Sequence, residues 1–291
     1  TRCVGARRNK GLWELNLERA DGSLFSIRSK ALVNAAGPWV AKFIKDDLKL
    51  DSPYGIRLIQ GSHLIVPKLY DAPNAFILQN EDQRIVFTIP YMDQFTIIGT
   101  TDREYTGDPA KVVITEEETD YLLNVVNAHF KQHVSRADIL RTYSGVRPLC
   151  NDESDNPSAV TRDYTLALSG AQGEAPLLSV FGGKLTTYRK LAESAMAQLA
   201  PFFKQMKPSW TAKASLPGGE DMTTPADLSA ELTKRFAWLP ADIAQRWSRT
   251  YGSRSWRLLE GVQSLADMGD HLGAGLYTRE VDYLCSTEWA T

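Results

Sequence analysis

A glycine pair followed at once by a lysine and two threonines, Phe181-Gly182-Gly183-Lys184-Leu185-Thr186-Thr187, has the most obvious chemical use in this sequence. Glycines let a backbone come close to a flat ring, and the amides of a first helical turn, aided by the helix dipole, stabilise negative charge lying over them. The plain alternative is a turn that merely starts a helix. Lys184 argues against that alternative, because a cation is unfavourable at the positive end of a helix dipole and such a conflict suggests use. Its ammonium suits an alkoxide-like transition state. Thr186 and Thr187 are expected to cap the helix.

Arginines and histidines come next. The planar fork of arginine meets an oxyanion with several donors at once, and Arg147 and Arg162 are the candidates here. A surface ion pair is the ordinary fate of an arginine, and Arg57 is expected to have that fate. An imidazole with its usual pKa near 6.5 is suited to taking a hydroxyl proton. His63 sits on a predicted strand, His129 and His133 on one face of a predicted helix, and His271 in a helical tail, where solvent-facing roles are expected.

The elements that position these residues follow from hydrophobic period. Alternating apolar residues over 12–17 and 24–27 flank Asp21-Gly22 and predict a hairpin. Residues 31–34 form a short apolar strand. Ala35-Ala36-Gly37 then breaks it, and Pro38 opens a helix in which Trp39 packs in the core. Strands are predicted at 57–67, 75–79, 85–90 and 95–99, making an antiparallel sheet. Gly99-Thr100-Thr101-Asp102 reads as a strand end and turn. Thr115 and Glu118 form a capping box that starts one long helix through 130 across that sheet. Further strands at 139–143 and 164–168 bracket a polar loop over 151–157. The strand at 177–181 ends in Gly182-Gly183 and leads to a helix at 186–199. After Pro208 the texture becomes helical, with segments opening at Thr224-Pro225, at 240–251 and at 278–289, joined by a Leu216-Pro217-Gly218-Gly219 linker.

Composition narrows the classes of function. In 291 residues, 33 Lys and Arg nearly cancel 35 Asp and Glu, so no global field would draw the protein onto nucleic acid. Cys3, Cys150 and Cys285 are odd in number and widely spaced, which suggests a reducing compartment and neither a metal knuckle nor a redox pair. No apolar run is long enough to span a bilayer, and no apolar signal segment opens the chain. A cut from a longer parent protein is expected at Thr1.

Taken together, Val33-Asn34-Ala35-Ala36-Gly37-Pro38-Trp39, Tyr54-Gly55-Ile56-Arg57, Gly61-Ser62-His63, Gly99-Thr100-Thr101-Asp102, Tyr143-Ser144-Gly145-Val146-Arg147-Pro148-Leu149, Thr161-Arg162-Asp163-Tyr164 and the run from Gly182 resemble, in order, the aerobic FAD-dependent glycerol-3-phosphate dehydrogenases. The family's N-terminal Gly-x-Gly-x-x-Gly, which would seat the FAD pyrophosphate, is lacking. The resemblance implies an α/β (α+β) fold: a partial FAD-binding, Rossmann-like domain over 1–50 and 169–207, a substrate-binding antiparallel sheet with one long helix over 51–168, and a truncated helical domain over 208–291. It implies oxidation of sn-glycerol 3-phosphate to dihydroxyacetone phosphate, with hydride passing to FAD and electrons to quinone. His63, Arg147 and Lys184 would be catalytic. Arg162, Thr186 and Thr187 would bind substrate. Ala36, Gly37, Gly182, Gly183, Lys184, Leu185 and Thr186 would touch the cofactor. Either arginine could hold the phosphate and the other the C2 oxygen.

The family also implies a homodimer in the cytoplasm, attached peripherally to the inner face of the cytoplasmic membrane. A basic amphipathic stretch over 238–256, with Arg246, Arg249, Arg254 and Arg257, offers weak support for such attachment. Two rivals remain: an amine oxidase of the same fold acting on glycine, sarcosine or a D-amino acid, and a non-catalytic fragment that retains no flavin.

Overall fold

The computed structural model describes residues 1–150, 163–171, 173–221 and 224–291. The polar loop expected over 151–157 and the candidate Arg162 lie outside the described residues. Two compact units divide the chain, Thr1–Lys207 and Pro208–Thr291.

The first unit opens with β1 (Arg2–Asn9), β2 (Leu12–Glu18) and β3 (Leu24–Ser29), an antiparallel meander that adds a strand to the expected hairpin. Trp13 of β2 is fully buried and donates its indole N–H to the Pro176 carbonyl at 2.9 Å, tying the meander to a distant segment. β4 (Leu32–Asn34) ends where Ala35-Ala36-Gly37 was expected to break it. The chain then winds into three unlike turns rather than one regular helix. A 3-10 turn (Gly37–Trp39), one turn of α1 (Val40–Lys42) and a π turn (Phe43–Asp47) succeed one another. Trp39 is 42% exposed, against the expectation that it packs in the core.

The second sheet is built on β5 (Ile56–Pro67), the longest strand. With β6 (Phe76–Gln79), β7 (Ile85–Tyr91), β8 (Phe95–Gly99) and β9 (Arg103–Tyr105) it forms the expected antiparallel array. α2 (Glu116–His129) covers one face, where Leu122, Leu123 and Val126 meet Leu64, Val66, Val86 and Ile98. The period of 3.6 in the helix and of 2 in the strands supplies these facing apolar sets. The Thr115–Glu118 capping box is present, as its spacing predicts. The helix stops at His129, so His133 lies beyond it and shares no helix face with His129. β10 (Arg141–Cys150) closes the sheet along the free edge of β5 and is far longer than the strand expected at 139–143.

β11 (Tyr164–Ser169) pairs antiparallel with β12 (Leu177–Gly182), so residues 164–168 lie outside the sheet built on β5, to which they were expected to belong. β12 pairs parallel with β4, Leu177 to Leu32 and Ser179 to Asn34. A 3-10 turn (Leu185–Thr187) then leads to α3 (Tyr188–Leu199).

The second unit contains α4 (Pro225–Arg235), α5 (Ala241–Thr250), α6 (Ser255–Leu258) and α7 (Thr278–Thr287), plus a small hairpin, β13 (His271–Gly273) with β14 (Leu276–Tyr277), that the helical expectation omitted. Thr224 caps α4 through the Asp227 amide. Buried Glu280 accepts from Trp247, Tyr251 and both terminal nitrogens of Arg246 at 2.5–3.0 Å. Gly218, expected in a linker, accepts from the Ser253 amide and lies against Tyr251 within the second unit. Two arginines of the proposed basic stretch are engaged with carboxylates, Arg246 with Glu280 and Arg254 with Glu288. Among the described residues no helix is long and apolar enough to cross a membrane.

Candidate active site

Cross-strand register brings the first two candidates together. β10 pairs β5 with Tyr143 opposite His63, Gly145 opposite Gly61 and Arg147 opposite Ile59. Side chains alternate along a strand, so His63, Tyr143 and Arg147 share the sheet face opposite α2. They surround a shallow hollow of about 250 Å³ that Gly61 and Gly145 also line.

Each side chain is held by its surroundings. The His63 ring stacks on Tyr143, with centroids 4.5 Å apart and planes 4° from parallel. Its other neighbour is Gly99 of β8, where an added Cβ would collide with the imidazole. Burial, and then the nearby positive charge of Arg147, push the His63 pKa below its ordinary value. The imidazole is therefore neutral at pH 7, the form that accepts a proton. Its Nδ1 is buried with no hydrogen-bond partner among the described residues. Burial and then Tyr91 raise the Tyr143 phenol, so that ring stays uncharged.

Arg147 lies over Gly61, where a Cβ would stand 2.5 Å from its Nη2. The guanidinium donates to Asp102 at 2.7 Å and to the Thr100 hydroxyl at 2.9 Å. β8 ends at Gly99 as expected, but no turn follows: Thr100-Thr101-Asp102 is an irregular link to β9, which continues antiparallel along the same edge of β5, and it presents the groups that hold Arg147. Sequence reasoning missed Asp102, Thr100 and Tyr143 as parts of the site. A single Asp between two strands carries no sign of its partner, whereas Tyr143, opposite a strand histidine, was recoverable once β10 was extended. Arg57 forms the expected ion pair, with Glu104 at 3.0 Å.

The glycine candidates gather at the ends of parallel strands. β4 and β12 run in the same direction, so Ala36-Gly37 and Gly182-Gly183-Lys184 leave at the same, carboxyl-terminal end, where ligands bind in open α/β sheets. Ala36, Gly183, Lys184 and Thr186 are exposed, and Leu185 is 89% exposed although apolar. Gly37 has φ +54°, with open space where a Cβ would stand. Gly182 (φ +73°) and Gly183 (φ +107°) are required first by the fold itself: Cβ atoms there would approach the Asp163 carbonyl at 2.8 Å and a Leu191 methyl at 3.0 Å. The turn does not show the expected threonine caps, since the Thr187 hydroxyl donates to the Lys184 carbonyl instead. His129 bonds the Val125 carbonyl through Nδ1 and does not line the hollow, and His271, in the second unit, accepts from the Gly275 amide.

These surfaces suit a flat, partly anionic cofactor. Gly145, between Tyr143 and Arg147, offers bare backbone with nothing within 4 Å of a built Cβ, and the unpartnered His63 Nδ1 leaves a buried polar atom to satisfy. Among the described residues no group of three His, Cys, Asp or Glu is arranged to hold a metal ion.

Residues 1–189 match a family model described as FAD dependent oxidoreductase. The chain is 78% identical to a glycerol-3-phosphate dehydrogenase of Pseudomonas tolaasii over 292 residues, covering 100% of this chain and 57% of that protein. It is 53% identical to the aerobic glycerol-3-phosphate dehydrogenase of Escherichia coli, over 99% of this chain and 58% of that one. Among solved structures, the glycerol-3-phosphate dehydrogenase from Bacillus halodurans complexed with FAD superposes with a TM-score of 0.79 at 26% identity, covering 99% of this chain and 57% of that one. The chain thus spans a little over half the length of the proteins it matches.

Proposed function

This chain belongs to the FAD dependent oxidoreductase family, and from that premise we propose that it is the substrate-facing part of an enzyme that oxidises sn-glycerol 3-phosphate to dihydroxyacetone phosphate. The observation that carries the reading is the meeting of a neutral imidazole and a clamped guanidinium on one face of the β5–β10 pair. FAD, when bound, would supply the acceptor for the hydride that leaves C2. His63 takes the C2 hydroxyl proton as the carbonyl forms, and stacking on Tyr143 keeps the imidazole in one orientation for it. Arg147 stabilises the charge that develops on the C2 oxygen, and its bonds to Asp102 and Thr100 keep it from turning away. Lys184 adds positive charge from the exposed turn after β12, and Arg162 with Thr186 and Thr187 receives the phosphate.

The Ala36-Gly37 and Gly182–Thr186 loops would hold the cofactor's chain and ring edge, because both leave the carboxyl-terminal end of the parallel pair. On the same reading the holoenzyme is a homodimer attached peripherally to the inner face of the cytoplasmic membrane, and it delivers electrons to quinone. The test is turnover of the full-length, flavin-loaded protein with sn-glycerol 3-phosphate against sarcosine, in the presence of a quinone analogue. Preference for the phosphate ester is expected. Equal or greater turnover of sarcosine would remove the reading.

A further inference from the structure

The far side of the same sheet holds a buried carboxylate that the reaction does not use. Glu118, on the first turn of α2, accepts four hydrogen bonds: Ser62 Oγ at 3.0 Å and Thr101 Oγ1 at 2.5 Å on one oxygen, Gln60 Nε2 at 2.8 Å and the Thr115 amide at 2.9 Å on the other. Four donors fill the lone-pair positions of the two carboxyl oxygens, and an amide in their place would turn a donor against donors. The Thr101 hydroxyl that donates to Glu118 also accepts from the backbone amide of Ser62 at 2.9 Å. Ser62 Oγ bonds Ser144 Oγ at 2.9 Å, so β5, β10 and the link between β8 and β9 are tied to this point.

In the Gly99-Thr100-Thr101-Asp102 link between β8 and β9, Thr101 is the residue whose side chain bonds Glu118. Its neighbours serve the opposite face: Gly99 lies against His63, while Thr100 and Asp102 bond Arg147. Ser62 in turn precedes His63 directly in β5. We infer that Glu118 is a positioning residue that, through Thr101 and Ser62, holds His63 and Arg147 in register across the thickness of the sheet. The inference rests on the proposed roles of those two side chains. A rigid support of this kind matters because a small misplacement of reacting groups is costly in rate.

Thr101→Val removes the hydroxyl that joins Glu118 to the Ser62 amide and keeps the side chain's shape; Thr101→Ser restores it. In the full-length flavoprotein, Thr101→Val should lower kcat for sn-glycerol 3-phosphate roughly tenfold or more, with a smaller change in KM, and Thr101→Ser should recover most of the loss. Hydrogen exchange at the Ser62 amide should quicken in Thr101→Val and return in Thr101→Ser. Glu118→Gln should match Thr101→Val; if it fails to fold, the Thr101 pair decides. A kcat within about twofold of wild type in Thr101→Val, or a loss that Thr101→Ser does not recover, overturns the inference. Unchanged exchange at Ser62 overturns it whatever the activity. A wild-type protein inactive on sn-glycerol 3-phosphate removes the proposed reaction instead, and the exchange measurement still decides the anchoring.

Discussion

His63 is set between an aromatic ring and a glycine, and its electrostatic surroundings are as specific as its packing. Burial and Arg147 both disfavour the imidazolium, so the acidic limb of kcat/KM should fall below the ordinary histidine value of 6.5. Arg147→Gln removes the second of these causes, and the limb should then move up towards 6.5; a pH profile of both proteins checks this. The same shift bears on stability. The unfolded chain binds the His63 proton more readily than the folded one, so this contribution is complete above pH 6.5 and is lost as pH falls from there through the depressed folded value. His63→Ala should reduce turnover by about 10²–10⁴-fold with the fold intact by circular dichroism, the range for loss of a general base.

At the scale of the element, glycines make the site possible by what they leave out. β8 passes so close to β5 that only Gly99 leaves room for the imidazole, and Gly61 does the same for the Arg147 guanidinium. Gly99→Ala should therefore displace His63, cost about 1–3 kcal/mol by overpacking, and lower kcat more than its effect on denaturant midpoint suggests. The start of α2 has a double use, since Glu118 completes a capping box and also reaches into the sheet. Thr115→Ala removes the cap together with an exposed hydrogen bond from Arg103, and should cost about 1 kcal/mol, read from urea unfolding.

At the scale of the molecule, two units with separate cores allow separate unfolding transitions, so a single midpoint is not expected. Glu280 is 1% exposed and satisfies Arg246, Trp247 and Tyr251 together. Burial alone would raise its pKa, yet these bonds hold it below the ordinary carboxylate value. Glu280→Ala should destabilise the second unit by about 3–5 kcal/mol, because it strands buried donors and a cation. Denaturant unfolding followed by hydrogen exchange should show that loss in Pro208–Thr291 and little change in the β5–β10 sheet.

What the sequence determined by itself was local. The period-2 pattern of β5, β7 and β8, the Thr115–Glu118 cap with the apolar period behind it, and the strand ends at Asn34 and Gly182 were legible because each depends on neighbours within one or two turns of chain. His63, Arg147 and the glycine turn could be named as candidates, since residue type and motif are also local. Tertiary structure decided the pairings. Parallel contact of Leu32–Asn34 with Leu177–Ser179, the stacking of Tyr143 on His63, the clamp of Asp102 on Arg147 and the reach of Glu118 through the sheet all join segments far apart in the chain. A strand's side-chain pattern states which face is buried but not which strand lies beside it. Register comes from packing across strands, and only when β10 docks on β5 do an imidazole and a guanidinium acquire one common face.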